Sequence, residues 1–220
     1  MTQRMRAIGA ALATLLLIGC SSTSSLPDFT ASGYLADRGT VRIWRKNENN
    51  QPDRILTVYS PFERGQVETT DYDWQQGKLT AITRQIEGEH PETVTLRFDS
   101  HGNLNFMQRQ RDNRREAVSE ESVALLQFDA QRMLDLSQSL LMGRVFMTQG
   151  HWQADGAIKT CSGQVKQPVF DDPSRQLILN EQARSKTPVS VAWLDAPEGT
   201  QLILVQTQDV CANEPKEADF

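Results

Sequence analysis

The chain is short of cysteine and histidine, with three of each in 220 residues. Three cysteines are too few for a disulfide-built scaffold, and the thirteen glycines follow no collagen period. The longest apolar run, Ala7 to Ile18, falls short of the roughly 20 residues that a membrane-spanning helix needs. Positive charge is also scarce. Lys and Arg number 23 against 28 Asp and Glu, giving a net charge of −5 and a pI of about 5.3. That balance provides no electrostatic reason to expect nucleic acid as a partner. No G-x-S-x-G nucleophile elbow occurs, nor S-x-x-K followed by the other penicillin-binding motifs. What is present is globular in character: 38% apolar and 23% charged residues, enough for one large domain or two small ones.

The N-terminus reads as an address. Arg4 and Arg6 precede the apolar stretch Ala7–Ile18, which ends in Leu17-Ile18-Gly19-Cys20. A basic start followed by a short apolar core marks a secretory signal. The closing Leu-x-Gly-Cys resembles the bacterial lipobox, in which a peptidase cuts before the cysteine and the thiol is acylated. The resemblance implies a diacylglyceryl group and an N-acyl chain on Cys20, more than the single chain that binds membranes only reversibly. Ser21, rather than Asp, follows Cys20, as in lipoproteins exported to the outer membrane. Residues 20–29 then form a lipidated, serine-rich tether that holds the folded part off the headgroups. Removing residues 1–19 leaves 201 residues with a net charge of −7.

Cys161 and Cys211 remain, an even number that predicts one disulfide in an oxidising compartment. Closing that loop of about 50 residues contributes about 3–4 kcal/mol on the loop-entropy account. Cys161-Ser162-Gly163 is therefore not read as a nucleophile. His90, His101 and His151 lack a second histidine at helical or hairpin spacing. The carboxylates around His90 lie in a loop punctuated by Gly88 and Pro91. No catalytic residue, metal site or cofactor is expected.

The mature chain alternates mainly in period two. Val41 and Ile43 face one way, and Arg42 and Trp44 the other, on a strand that returns after a loop over 47–53 through Ile55, Thr57 and Tyr59. A weak repeat follows. Gly77, Leu79 and Arg84-Gln85 recur 25 residues later as Gly102, Leu104 and Arg109-Gln110, each copy being two strands joined at a glycine turn. Residues 30–118 are read as an antiparallel β-meander. At Ser119 the period changes. Val123, Leu126, Ala130, Met133 and Leu140 predict an amphipathic helix over 119–143, interrupted by Ser137 and ended by Gly143. Residues 144–212 return to short strands, with 176–180 among them, and 213–220 are read as a disordered tail. The fold class is thus α+β, mainly antiparallel β: a meander, one long helix, and a small disulfide-stapled sheet or barrel.

Arg109 and Arg111 share a strand face and, with Arg114 and Arg115, form a basic stretch able to bind phosphate or carboxylate groups. A solvated edge strand blunted by charge accounts for the same pattern. The four tryptophans read as core or sheet-face residues.

The lipobox with its serine-rich tether, and Gly33-Tyr34-Leu35-Ala36-Asp37-Arg38-Gly39 ahead of Val41-Arg42-Ile43-Trp44, resemble the YjaH-like lipoproteins of proteobacteria. That family has no assigned activity and brings no catalytic residues. The expectation is a periplasm-facing, outer-membrane-anchored lipoprotein acting as a non-catalytic binding or scaffolding module. Its partner would be an envelope protein, peptidoglycan or glycolipid. A stress or redox sensor and a small-ligand or metal-binding lipoprotein are the alternatives.

Overall fold

The computed structural model describes residues 26–220 apart from 64 and 113. The signal peptide, Cys20 and the tether up to residue 25 lie outside the described residues. An eight-stranded antiparallel sheet comes first, its strands adjacent in chain order. They are β1 (Phe29–Ala36), β2 (Gly39–Glu48), β3 (Gln51–Pro61), β4 (Glu68–Gln75), β5 (Lys78–Ile86), β6 (Glu92–Phe98), β7 (Leu104–Arg111) and β8 (Arg114–Glu116). Helix α1 (Glu120–Met142) follows. A second sheet takes the spatial order β11 (Val165–Lys166), β10 (Ile158–Thr160), β9 (Phe146–Trp152), β12 (Ser190–Ala196) and β13 (Gly199–Gln206), with α2 (Asp172–Arg184) between β11 and β12 in the chain. Among the described residues no helix is long and apolar enough to cross a membrane.

These elements stack as helix, sheet, sheet, helix, and period-two alternation assigns each side chain to a layer. On β2, Val41 and Ile43 join Ile55, Tyr72, Ile82 and Leu96 beneath α1, which contributes Val123, Ala130 and Met133. The opposite face presents Trp44, with Leu56 and Val58, to Met147, Ala192, Leu194 and Ile203 of the second sheet. On β12 the alternate residues Val191 and Trp193 face away, packing with Phe170 and Ile178. Strand β2 is therefore buried on both faces, which explains Arg42 and Arg45 within the core.

Helix α1 begins where expected. The Ser119 side chain accepts from the Ser122 N–H, and Glu120 and Glu121 occupy the first turn. Ser137, the polar break in the stripe, sits where buried Arg45 needs an acceptor: Arg45 Nη1 donates to Ser137 Oγ at 3.0 Å. The left-handed residue that ends the helix is Arg144 (φ 56°), one past the expected Gly143. The Val145 N–H then bonds back to the Leu140 carbonyl at 2.9 Å.

Four sequence expectations change. Residues 47–53 are not a long loop, because Asn49 and Asn50 both take positive φ and close a two-residue turn between β2 and β3. Asparagine tolerates that conformation. Residues 176–180 are helical, not a strand. Asp171 caps α2 by accepting from the Ser174 N–H at 2.9 Å, and Pro173 stands in the first turn, where its missing N–H costs nothing. Only Ile178 of Leu177-Ile178-Leu179 is fully buried, so the apolar run belongs to a helix with one narrow contact line. The tail 213–220 is folded back rather than disordered. Phe220 packs edge-on against Phe29 at 5.2 Å and beneath the Arg54 guanidinium, and its carbonyl accepts from Lys46 Nζ at 3.2 Å. The tether's last residues are also held, since the Asn47 side-chain amide donates to the Pro27 carbonyl at 2.7 Å.

The disulfide Cys161–Cys211 is formed, with Cα atoms 5.1 Å apart. It ties the turn after β10 to the segment after β13, so the C-terminal part is a disulfide-stapled sheet. Trp44, Trp74 and Trp193 are buried in the core, and Trp152 packs partly buried at its edge.

Candidate functional site

The register of the first sheet lays side chains in rows across the strands, and the rows on the α1 side change character in steps. The innermost row, Ile55, Tyr72, Ile82 and Leu96, is apolar. Two residues along each strand the next row is Thr57, Thr70, Arg84, Val94 and Arg109. The row beyond contains Tyr59, Glu68, Ile86, Glu92 and Arg111. The N-terminal half of α1 lies over these outer rows without closing on them, leaving a cleft of about 340 Å³. Leu125, Leu126 and Met133 of α1, with Val41 and Val94 of the sheet, form its apolar wall. Arg84, Arg109, Arg132, Glu68 and Asp129 supply its charge.

Glu92 organises these cations from below. It is only 6% exposed and lies 2.6 Å from Arg111 Nη2, 3.5 Å from Arg109 Nε and 3.7 Å from Arg84 Nη1. Arg84 has a second carboxylate, Glu68, at 2.5 Å, whose hydrogen bond raises the guanidinium pKa further. Across the cleft, Arg132 bonds Asp129 at 2.7 Å, and Tyr72 donates to the same carboxylate at 2.5 Å. Burial, and then the Asp129 charge, push the Tyr72 phenol well above its ordinary value, so it stays a donor. Arg84, Arg109, Arg111 and Arg132 thus face Glu68, Glu92 and Asp129, with Glu116 opposite Arg109 across β7 and β8. Arg109 is the least engaged. Its Nε is buried and has no hydrogen-bond partner among the described residues.

The sequence-predicted basic stretch therefore divides. Arg109 enters the cleft; Arg111 is held at its rim by Glu92; Arg114 and Arg115 lie exposed on edge strand β8. Arg84 and Arg132 were not singled out, although the internal repeat aligned Arg84 with Arg109. That alignment has a structural meaning: both pair with Val94 from opposite sides and so share one row.

The three histidines lie outside this cleft. His90 and His101 are exposed in turns. His151 was not expected near a metal-binding set, yet its Nε2 is 2.8 Å from Asp209 Oδ1 with Cys211 beside it. His151 is more than fifty positions from Asp209 and Cys211 in the chain, so no local spacing signals the set.

Fold and site together define a two-sheet α+β protein with one charged, half-apolar cleft between a helix and a sheet face. The chain belongs to the family described as a protein of unknown function, DUF1481, matched over residues 31–216. It is similar to the uncharacterized protein YjaH of Escherichia coli strain K12, being 42% identical over 207 residues, 94% of this chain and 89% of that protein. No solved structure matches it.

Proposed function

We propose that this protein is a lipid-anchored, periplasm-facing outer-membrane lipoprotein whose folded part is a non-catalytic binding module. Its site is the cleft beneath α1, and its ligand is an amphiphilic anion of the cell envelope, such as a glycolipid fragment bearing phosphate or carboxylate. The observation that carries this reading is Arg109 beside the apolar wall of the cleft, its Nε making no hydrogen bond among the described residues and sharing the one Glu92 carboxylate, at 3.5 Å, with Arg84 and Arg111. An anionic headgroup adds a charge-assisted hydrogen bond to the Arg109 guanidinium, about 1.5–3 kcal/mol. A cleft of this volume with few convergent polar groups has the build of a small-molecule site. The cleft's carboxylates are already engaged, Glu68 by Arg84 and Asp129 by Tyr72 and Arg132, which suits binding better than proton transfer.

The test compares probes of equal chain length. Dodecyl phosphate should bind more tightly than dodecyl maltoside, and R109M should lose tenfold or more for the phosphate, equivalent to one charged hydrogen bond of about 1.5–3 kcal/mol. Binding of both probes with no preference, or an unchanged affinity in R109M, refutes the assignment.

A further inference from the structure

The second sheet gathers a donor set that the cleft does not use. His151 lies on β9, two residues along from Gln149 on the same face, while the Cys161 N–H donates to the Gln149 carbonyl at 3.1 Å. His151 and Cys161 are therefore diagonal neighbours, the arrangement in which side chains on one sheet face can meet. From the other side, the segment after β13 brings Asp209 and Cys211. Asp209 Oδ1 accepts from the Cys211 N–H at 2.8 Å and lies 2.8 Å from His151 Nε2. The donor atoms of His151, Asp209 and Cys211 all fall within 4.8 Å of one another. Cys161 is bonded to Cys211.

While the disulfide is intact neither sulfur is a thiolate, and the set offers only one imidazole and one carboxylate. We propose that reduction of Cys161–Cys211 converts this cluster into a zinc(II) site, with Cys161, Cys211, His151 and Asp209 as ligands. The chemistry balances in two steps. A dithiol reductant delivers two electrons and two protons, itself becoming a disulfide, and leaves two thiols on the chain. Zinc then displaces the two thiol protons and takes His151 through Nε2, with the imidazole N–H on Nδ1, and Asp209 through a carboxylate oxygen. Two sulfurs, one nitrogen and one oxygen are the ligand types of closed tetrahedral zinc sites. With Zn–S near 2.3 Å and Zn–N and Zn–O near 2.0–2.2 Å, tetrahedral geometry sets the sulfurs about 3.8 Å apart and His151 Nε2 about 3.3 Å from Asp209. The nitrogen and oxygen thus need to part by only about half an ångström from the hydrogen bond they now share. The backbone needs no new topology, because the disulfide has already brought its two strand ends together. The disulfide then serves as the closed state of a metal site that opens on reduction.

The experiment titrates zinc into the full chain, oxidised or reduced with a phosphine and desalted anaerobically, against a chromophoric chelator. One equivalent should bind to the reduced chain at least 100-fold more tightly than to the oxidised one. H151A and D209N should each lose at least tenfold. Because only the dithiol binds, each tenfold excess of free zinc over Kd should raise the midpoint potential of the pair by about 30 mV, and this slope should vanish in the H151A/D209N double variant over the same zinc range. Equal affinity in the oxidised and reduced chains overturns the proposal. So does wild-type affinity in the double variant, which would indicate chelation by the two thiols alone. Should reduction unfold the chain, zinc must restore its far-ultraviolet circular dichroism, and failure to do so equally overturns it.

Discussion

Replacing Glu92 by Gln tests the electrostatic design of the cleft most directly. The carboxylate is nearly inaccessible, and three guanidinium groups converge on it. Removing one partner from a buried ion pair costs about 3–5 kcal/mol when the remaining charge is stranded. Here the three cations are stranded unequally. Arg111 is about half exposed and rehydrates, so its share is that of a surface pair, about 0–1 kcal/mol. Arg84 keeps Glu68 at 2.5 Å. Arg109, with 24% of its side chain exposed, loses its carboxylate neighbour and dominates the loss. Glutamine still offers one carbonyl acceptor, which brings the expected destabilisation down to about 2 kcal/mol. For a chain of this size that lowers Tm by about 4–8 °C. The same change makes the cleft more positive by one charge, so E92Q should bind dodecyl phosphate more tightly than wild type while being less stable. Urea unfolding and calorimetric titration on the same preparation measure both. A stability within 0.5 kcal/mol of wild type, or a weakened affinity for the phosphate, refutes the reasoning, since either means that Glu92 does not hold the cations in check.

Three further outcomes are expected. Gly150 lies where a Cβ would sit 2.7 Å from Thr160 Cα and closer still to the Lys159 carbonyl oxygen, both backbone of the adjoining strand. G150A should therefore cost about 1–3 kcal/mol or more in urea unfolding, because β9 and β10 must separate. The carboxyl groups of Asp171, bonded by Ser174, and Asp209, bonded by the Cys211 N–H, are held below their ordinary value of 3.8. Their contribution is complete above that value and disappears as pH falls through the lowered folded values, so D171N/D209N should flatten the acid limb of the stability curve. Glu214 has the opposite sign, since burial raises its pKa and its penalty is relieved on acidification. Finally, palmitate should label the wild-type protein in cells and fail to label C20A. Persistent labelling would remove the anchor from the proposed function.

Local signals in the chain were read correctly where local physics decides the outcome. The turns at Gly77 and Gly102 take positive φ, as their glycines suggested. The Ser119 cap and the 3–4 spacing after it produce α1. Where a tertiary contact decides, the chain carries no local signal of the outcome. Leu177-Ile178-Leu179 carries no period of its own, and only the contact of Ile178 with the second sheet and the cap at Asp171 make it helical. The tail 213–220 is polar enough to read as unfolded, and it folds because Phe220 finds Phe29 and Arg54, residues far away in the chain.

The class of structure, the pairing of the two late cysteines and the alternation that divides each strand between two layers are legible along the chain. These depend on composition, parity and a period of two, all of which can be counted along the chain. The cleft and the His151–Asp209–Cys211 cluster exist only once the sheets have assembled. Cross-strand register aligned Arg84 with Arg109 through Val94, and the packing of two sheets brought residue 209 to residue 151. Which charges meet depends on which strands become neighbours. That choice is made by burying apolar faces, and the polar residues that form the sites follow it.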